Sequence, residues 1–182
     1  MILERTIRQT QPASEPVTLA QARAQLRVDI TDEDTLITAL IIAARERVEN
    51  YTNRYFAPCL ITQIYSRFPA GGLPLGLGLP DLTAVNSIKY IFENTEVIMA
   101  PADYVLDIER AEIRPVNGWP VGVSVKIDLA VGVVDCPAPI VQAILLYVTD
   151  FFQVRGNLNP VQVYDNRAAV SLAQPYRVLM GI

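Results

Sequence analysis

The sequence predicts an α+β fold: a helical bundle of two N-terminal helices and one C-terminal helix, a small, mostly antiparallel β unit, and an extended C-terminal tail. Three observations predict it. Apolar residues recur at helical spacing over residues 15–54, alternate with the period of a strand between about 58 and 135, and return to helical spacing over 137–155. The domain reading that follows is an arm at 1–16, one α+β domain at 17–156 with its β unit at about 58–135, and a tail at 157–182.

The arm ends in "PASEP" and has no helical period. In "VTLAQARAQLRV" Thr18 stands as N-cap with Gln21 at the capping-box position, and Leu19, Ala22 and Leu26 share one face. Thr31 or Asp32 is expected to cap a long helix running to about Thr52. Its apolar residues Leu36, Ile37, Leu40, Ile41, Ala44, Val48 and Tyr51 keep the 3.6-residue period. Arg45, Glu46, Arg47 and Glu49 lie off that stripe. The acidic cluster Asp29, Asp32, Glu33 and Asp34 suits the first turn of this helix, because the macrodipole favours negative charge there.

The period then changes to two. "LITQIYSRF", "VNSIKYIFE", "VIMAPADYVLDI", "AEIRPV" and "VSVKIDLAVGVV" predict about five strands, with "ENTE" turning the second into the third. Helix returns in "PAPIVQAILLYVTDFFQVRG", where prolines sit at the start and Gly156 stands as the C-terminal cap. Its apolar residues spill beyond one face, so cover on more than one side is expected.

Composition narrows the function. The 182 residues are 51% hydrophobic, which is rich for a monomer of this length. No apolar run approaches the ~18 residues needed to span a bilayer, and the N-terminus shows no secretion signal. A net charge of −4 opposes groove reading of DNA. The absence of histidine removes the commonest general base and the commonest zinc ligand. Cys59 and Cys136 lack metal-site spacing and are expected as reduced thiols, although a bridge between them stays open. Asp103, Asp107, Glu109 and Glu112 could pair carboxylates, yet no nucleophile accompanies them, and no serine has a G-x-S-x-G context. The expectation is therefore no enzyme, no catalytic residues, no metal and no cofactor.

Two segments carry apolar residues where solvent is expected. "AGGLPLGLGLP" at 70–80 has no Lys, Ser or Thr, contains Pro74 and Pro80, and precedes a strand, so it does not cradle phosphate. Leu73, Leu75, Leu77 and Leu79 either fold back on the core or form a partner-contact loop. At the terminus Tyr176, Arg177, Val178 and Leu179 are of the kinds enriched at interface centres, and form a candidate docking tail.

The order "EPVTLAQARAQLRVD", "DEDTLITALIIAARERVENYTNR", a β unit opened by "TQIYSRFP", "CPAPIVQAILLYVTDFF" and a closing "PYRVL" resembles the tailed-phage head–tail connector (adaptor) family. The resemblance implies a structural virion protein at the head–tail junction, assembled in the host cytoplasm. It implies a homo-oligomeric ring, twelve-fold to match the portal. That ring attaches to the portal, extends the DNA channel, and receives a downstream neck, stopper or tail-terminator protein. Genomic DNA would pass the lumen without sequence readout, and no membrane is involved. It also implies a tail reaching toward the portal, which suits Tyr176 to Leu179. The alternatives are another phage tail or neck structural protein and, further off, a small ligand-binding or hydrolase domain.

Overall fold

The computed structural model describes residues 3–154 and 166–178. The chain divides into two compact units, Met1–Ala13 with Pro58–Gly132 and Ser14–Ala57 with Val133–Ile182. Among the described residues the fold is α+β, with four helices in the second unit and antiparallel sheets in the first.

In the helical unit α1 spans Leu19–Leu26, α2 Asp34–Thr52, α3 Ala138–Gln153 and α4 Arg167–Ala173. The capping box forms as its residues dictate. Thr18 Oγ1 accepts from the Gln21 amide at 3.2 Å, and Gln21 Oε1 accepts from the Thr18 amide at 2.9 Å. The cap expected of Thr31 or Asp32 is corrected: Glu33 is the N-cap and no side chain caps the helix. The Asp34 amide donates instead to the Thr31 carbonyl at 3.1 Å, so a backbone turn takes the place of the side chain.

The helical core joins Ile37, Ile41, Ala44 and Val48 of α2 to Ile140, Ala143, Ile144, Tyr147 and Val148 of α3. Val17, Ala22 of α1, Phe56, Leu145 of α3, and Ala169 and Ala173 of α4 complete it. The α3 helix is thus covered by several neighbours, as its composition predicts. Helix α4 lies inside the segment read from sequence as tail. Its seven residues are too few to display a period. Asn166 starts it, accepting from the Ala169 amide at 3.1 Å while donating to Asp150 at 2.8 Å. The expected cap Gly156 lies outside the described residues.

Among the described residues the β unit holds eight strands where about five are expected. They are β1 (Leu3–Arg8), β2 (Cys59–Arg67), β3 (Leu75–Gly76), β4 (Leu82–Phe92), β5 (Thr95–Ile98), β6 (Tyr104–Asp107), β7 (Glu112–Pro115) and β8 (Val123–Val131). One antiparallel sheet runs β1-β2-β8-β4-β5 and another β3-β7-β6. The N-terminal arm is therefore partly an edge strand. The single strand expected over 97–108 is two, because Pro101 starts a short 3-10 turn between β5 and β6 and sends them to different sheets. The turn between β4 and β5 is two residues, Glu93 and Asn94, both at positive φ, which matches the twist of a tight hairpin.

Period two decides the faces of the larger sheet. Ile61, Gln63 and Tyr65 of β2 with Val125, Ile127, Leu129 and Val131 of β8 are buried on an inner face. Asp128 and Lys126 point to the other face and are half-buried. At the bend before β8, a Cβ on Gly122 would meet Tyr90 Cδ2 at 2.4 Å, so only glycine fits there.

Candidate assembly surfaces

The leucine loop is anchored at both levels of structure. Leu75 pairs with Ile113 as β3 joins β7, and the Leu77 amide donates to the Ala111 carbonyl at 2.8 Å. Leu75, Leu77 and Leu79 are 0%, 3% and 5% exposed. The partner-contact reading is corrected for these three, which fold back on the unit's own core. Leu73 alone of the four is open, at 63% exposure.

Buried Gln63 explains how the loop stays down. Its amide donates to the Leu77 carbonyl at 3.0 Å, and its carbonyl oxygen accepts from the Tyr65 hydroxyl at 2.8 Å. A polar side chain in the core is thus satisfied by loop backbone. Burial pushes the Tyr65 phenol well above its usual range, which keeps it a donor. Trp119 closes the loop's other end, donating from its indole nitrogen to the Leu73 carbonyl at 2.8 Å and stacking on Phe68 at 4.8 Å.

The C-terminal segment returns along the end of α2. Tyr176 meets the Phe56 ring edge-on at 6.3 Å, and the Arg177 guanidinium lies 5.2 Å from the centre of the Tyr51 ring. The Val178 amide donates to the Thr52 carbonyl at 2.8 Å, and its carbonyl accepts from the Asn53 side-chain Nδ2 at 3.0 Å. The tail, expected to be extended, is not so up to Val178: it packs on its own unit. Tyr176 and Val178 are half-buried, Arg177 is exposed, and Leu179 lies outside the described residues.

Two polar networks escape a reading of the sequence by periodicity. Arg45 is fully buried, donating to Glu49 at 2.6 Å and to Glu15 at 2.7 Å. Glu49 also accepts from the Phe56 amide at 3.0 Å. Arg45 and Glu49 are therefore core residues, correcting their place off the apolar stripe; the guanidinium ties the "PASEP" segment and the α2–Phe56 turn to one helix. Burial alone would lower the Arg45 pKa, but Glu15 and Glu49 outweigh it and raise it, so the charge is permanent.

The second network crosses the outer face of the larger sheet. The Asp128 carboxylate accepts from Thr62 at 2.5 Å, Ser87 at 2.6 Å and Lys89 at 3.1 Å, joining β2, β8 and β4. Burial would raise its pKa, yet these three donors hold it below the usual value.

The sheet ends in two edges of different charge. Among the described residues β1 pairs with β2 alone and β5 with β4 alone. Ile98 of β5 is 65% exposed.

Of the acidic residues weighed for chemistry, Asp107 and Glu112 are placed in ion pairs. Arg114 lies 3.3 Å from Glu112 and 3.9 Å from Asp107. No group of three or more His, Cys, Asp or Glu among the described residues could hold a metal. Cys59 and Cys136 are not joined in a disulfide. Burial, reinforced by Glu49, pushes the Cys136 thiol up to about 11, far from a thiolate nucleophile. No helix among the described residues is long and apolar enough to cross a membrane.

Residues 16–80 match the phage gp6-like head-tail connector protein family. That stretch takes in α1, α2 and β2 and runs to the end of the leucine loop. A chain from the neck of an empty gene transfer agent particle, computed with C6 symmetry, superposes with a TM-score of 0.77 at 18% identity, covering 98% of this chain and 97% of that one. A chain from the virion of a native gene transfer agent particle gives 0.76 at 16% identity, covering 97% of each. One from the neck of a native particle computed with C12 symmetry gives 0.72 at 17% identity, covering 98% and 97%. The fold is that of these neck and virion chains. No curated protein matches the sequence.

Proposed function

We propose that the chain is a structural virion protein forming a head–tail connector ring. The ring sits coaxially on the portal, extends the DNA channel and receives the next neck or tail component. The observation that carries this reading is that a chain matching the connector family over 16–80 shares its fold, almost end to end, with a particle-neck chain. The twelve-fold copy number rests on that likeness and on closed head-to-tail symmetry. Genomic DNA passes without readout, because a net charge of −4 does not grip phosphate. Electron microscopy of the purified protein mixed with the portal ring tests the proposal. Coaxial stacking is expected; a protein that never stacks on a portal is not its adaptor.

The portal contact is assigned to the C-terminal end, Tyr176 to Leu179, with Arg177 outward on the α2 end. A truncation removing residues 179–182 keeps the Tyr176, Arg177 and Val178 contacts, whereas one removing 175–182 loses them. Cosedimentation with heads is expected to fall for both, and the melting temperature only for the longer truncation. Full attachment of both truncations would take the terminus out of the mechanism.

A further inference from the structure

A ring closed by one repeated contact needs two unlike, complementary surfaces on each copy. The five-stranded sheet offers such a pair in its two edges. Every neighbouring pair in the order β1-β2-β8-β4-β5 is antiparallel, so β1 and β5, at positions one and five, run in the same direction. Rotation about an axis along the strands preserves direction. It brings the β1 of one copy to the β5 of the next as a parallel pair.

Charge and side-chain face agree with that pairing. Arg5 is opposite Ile64, and Ile7 is opposite Thr62, which bonds Asp128. Directly opposed residues share a face. Glu96 contacts Lys126 at 3.4 Å, and Ile98 is opposite Lys89, another Asp128 partner. Arg5, Ile7, Glu96 and Ile98 therefore all lie on the Asp128 face. Each edge presents a charge, a spacer and an isoleucine. In a parallel pair, Arg5 beside Glu96 sets Ile7 beside Ile98. On β1, Arg5 and Arg8 outnumber Glu4, whereas β5 and its turn carry Glu93 and Glu96 and no cation.

We propose that β5 of one subunit adds to β1 of a second copy of this chain, in parallel, with Arg5 at Glu96 and Ile7 at Ile98, as the repeating contact of the ring. Strand addition to an exposed edge supplies main-chain bonds, and the side chains set register and polarity. The inference rests on the connector-ring reading.

The test uses full-length Arg5→Glu, Glu96→Arg and the double reversal, each with the portal ring and viewed by electron microscopy. Each single reversal sets like charges together and is expected to lower ring occupancy on portals roughly tenfold. The double reversal is expected to recover most of it. The melting temperatures should stay near wild type, since both side chains are exposed. A second measurement removes dependence on charge: in portal-assembled rings, Ile7→Cys/Ile98→Cys is expected to cross-link between copies under mild oxidation, while either single cysteine is not. Wild-type rings on portals, with unchanged occupancy in the reversals and no cross-link, would overturn the edge contact and leave the connector reading standing. Failure of wild type to form any ring on a portal would overturn both.

Discussion

Arg45 and Asp128 show what a single charged residue does here beyond solvation. Removing the Arg45 guanidinium takes that buried cation from Glu49, and breaking such a pair costs about 3–5 kcal/mol. Arg45→Met is expected to lower the urea midpoint by a corresponding amount, while Arg47→Met, on the Tyr147 ring 5.1 Å away, should lower it far less. Asp128 makes a pH prediction. Its folded pKa is depressed, so its stabilising contribution is present above the ordinary value of 3.8 and is lost as pH falls through the lower folded value. Asp128→Asn is expected to be less stable than wild type at neutral pH and to lose less stability on acidification below about 4, measured by urea titration at stepped pH. Neither role was legible in the sequence. Periodicity marks where apolar residues recur, and it cannot tell an exposed charge from one buried opposite a carboxylate 30 residues earlier.

At the scale of elements, what could be read depended on length and local chemistry. The long α2 and α3 announce themselves by repeated apolar spacing, and α1 by its Thr18–Gln21 box. The seven-residue α4 and two-residue β3 carry too few positions to do so, and β1 exists only because β2, more than 50 residues later, pairs with it. The leucine loop was legible as a segment but not in its fate. Gln63 and Trp119, which hold it, lie outside it. Leu75→Ala is expected to cost about 2–5 kcal/mol in chemical unfolding. Leu73→Ser should stay within about 0.5 kcal/mol of wild type, and any effect it has should appear in assembly. A neutral Leu75→Ala would mean that the loop does not pack as described.

For the whole molecule the connector reading turns on surfaces and not on a reactive centre. Its electrostatics are testable without a particle. A protein of net charge −4 should show no salt-dependent binding to a short duplex at physiological ionic strength, measured by fluorescence anisotropy. Binding that weakens steeply with added salt would argue for a gripping lumen. The α+β class and order of segments were legible because each rests on short-range pattern. The two-unit division was not, since each unit is assembled from two stretches far apart in the chain.

That interleaving has a consequence for biosynthesis. The central position of the larger sheet belongs to β8, which joins β2 to β4 although it is synthesised after both. Until residue 131 has left the ribosome, the nascent chain holds two long strands with no partner between them, and α3 has still to emerge. A message truncated within β8 would release a product with bare, sticky borders, so proteolysis or chaperone capture of such fragments becomes a standing demand on the cell that translates this protein.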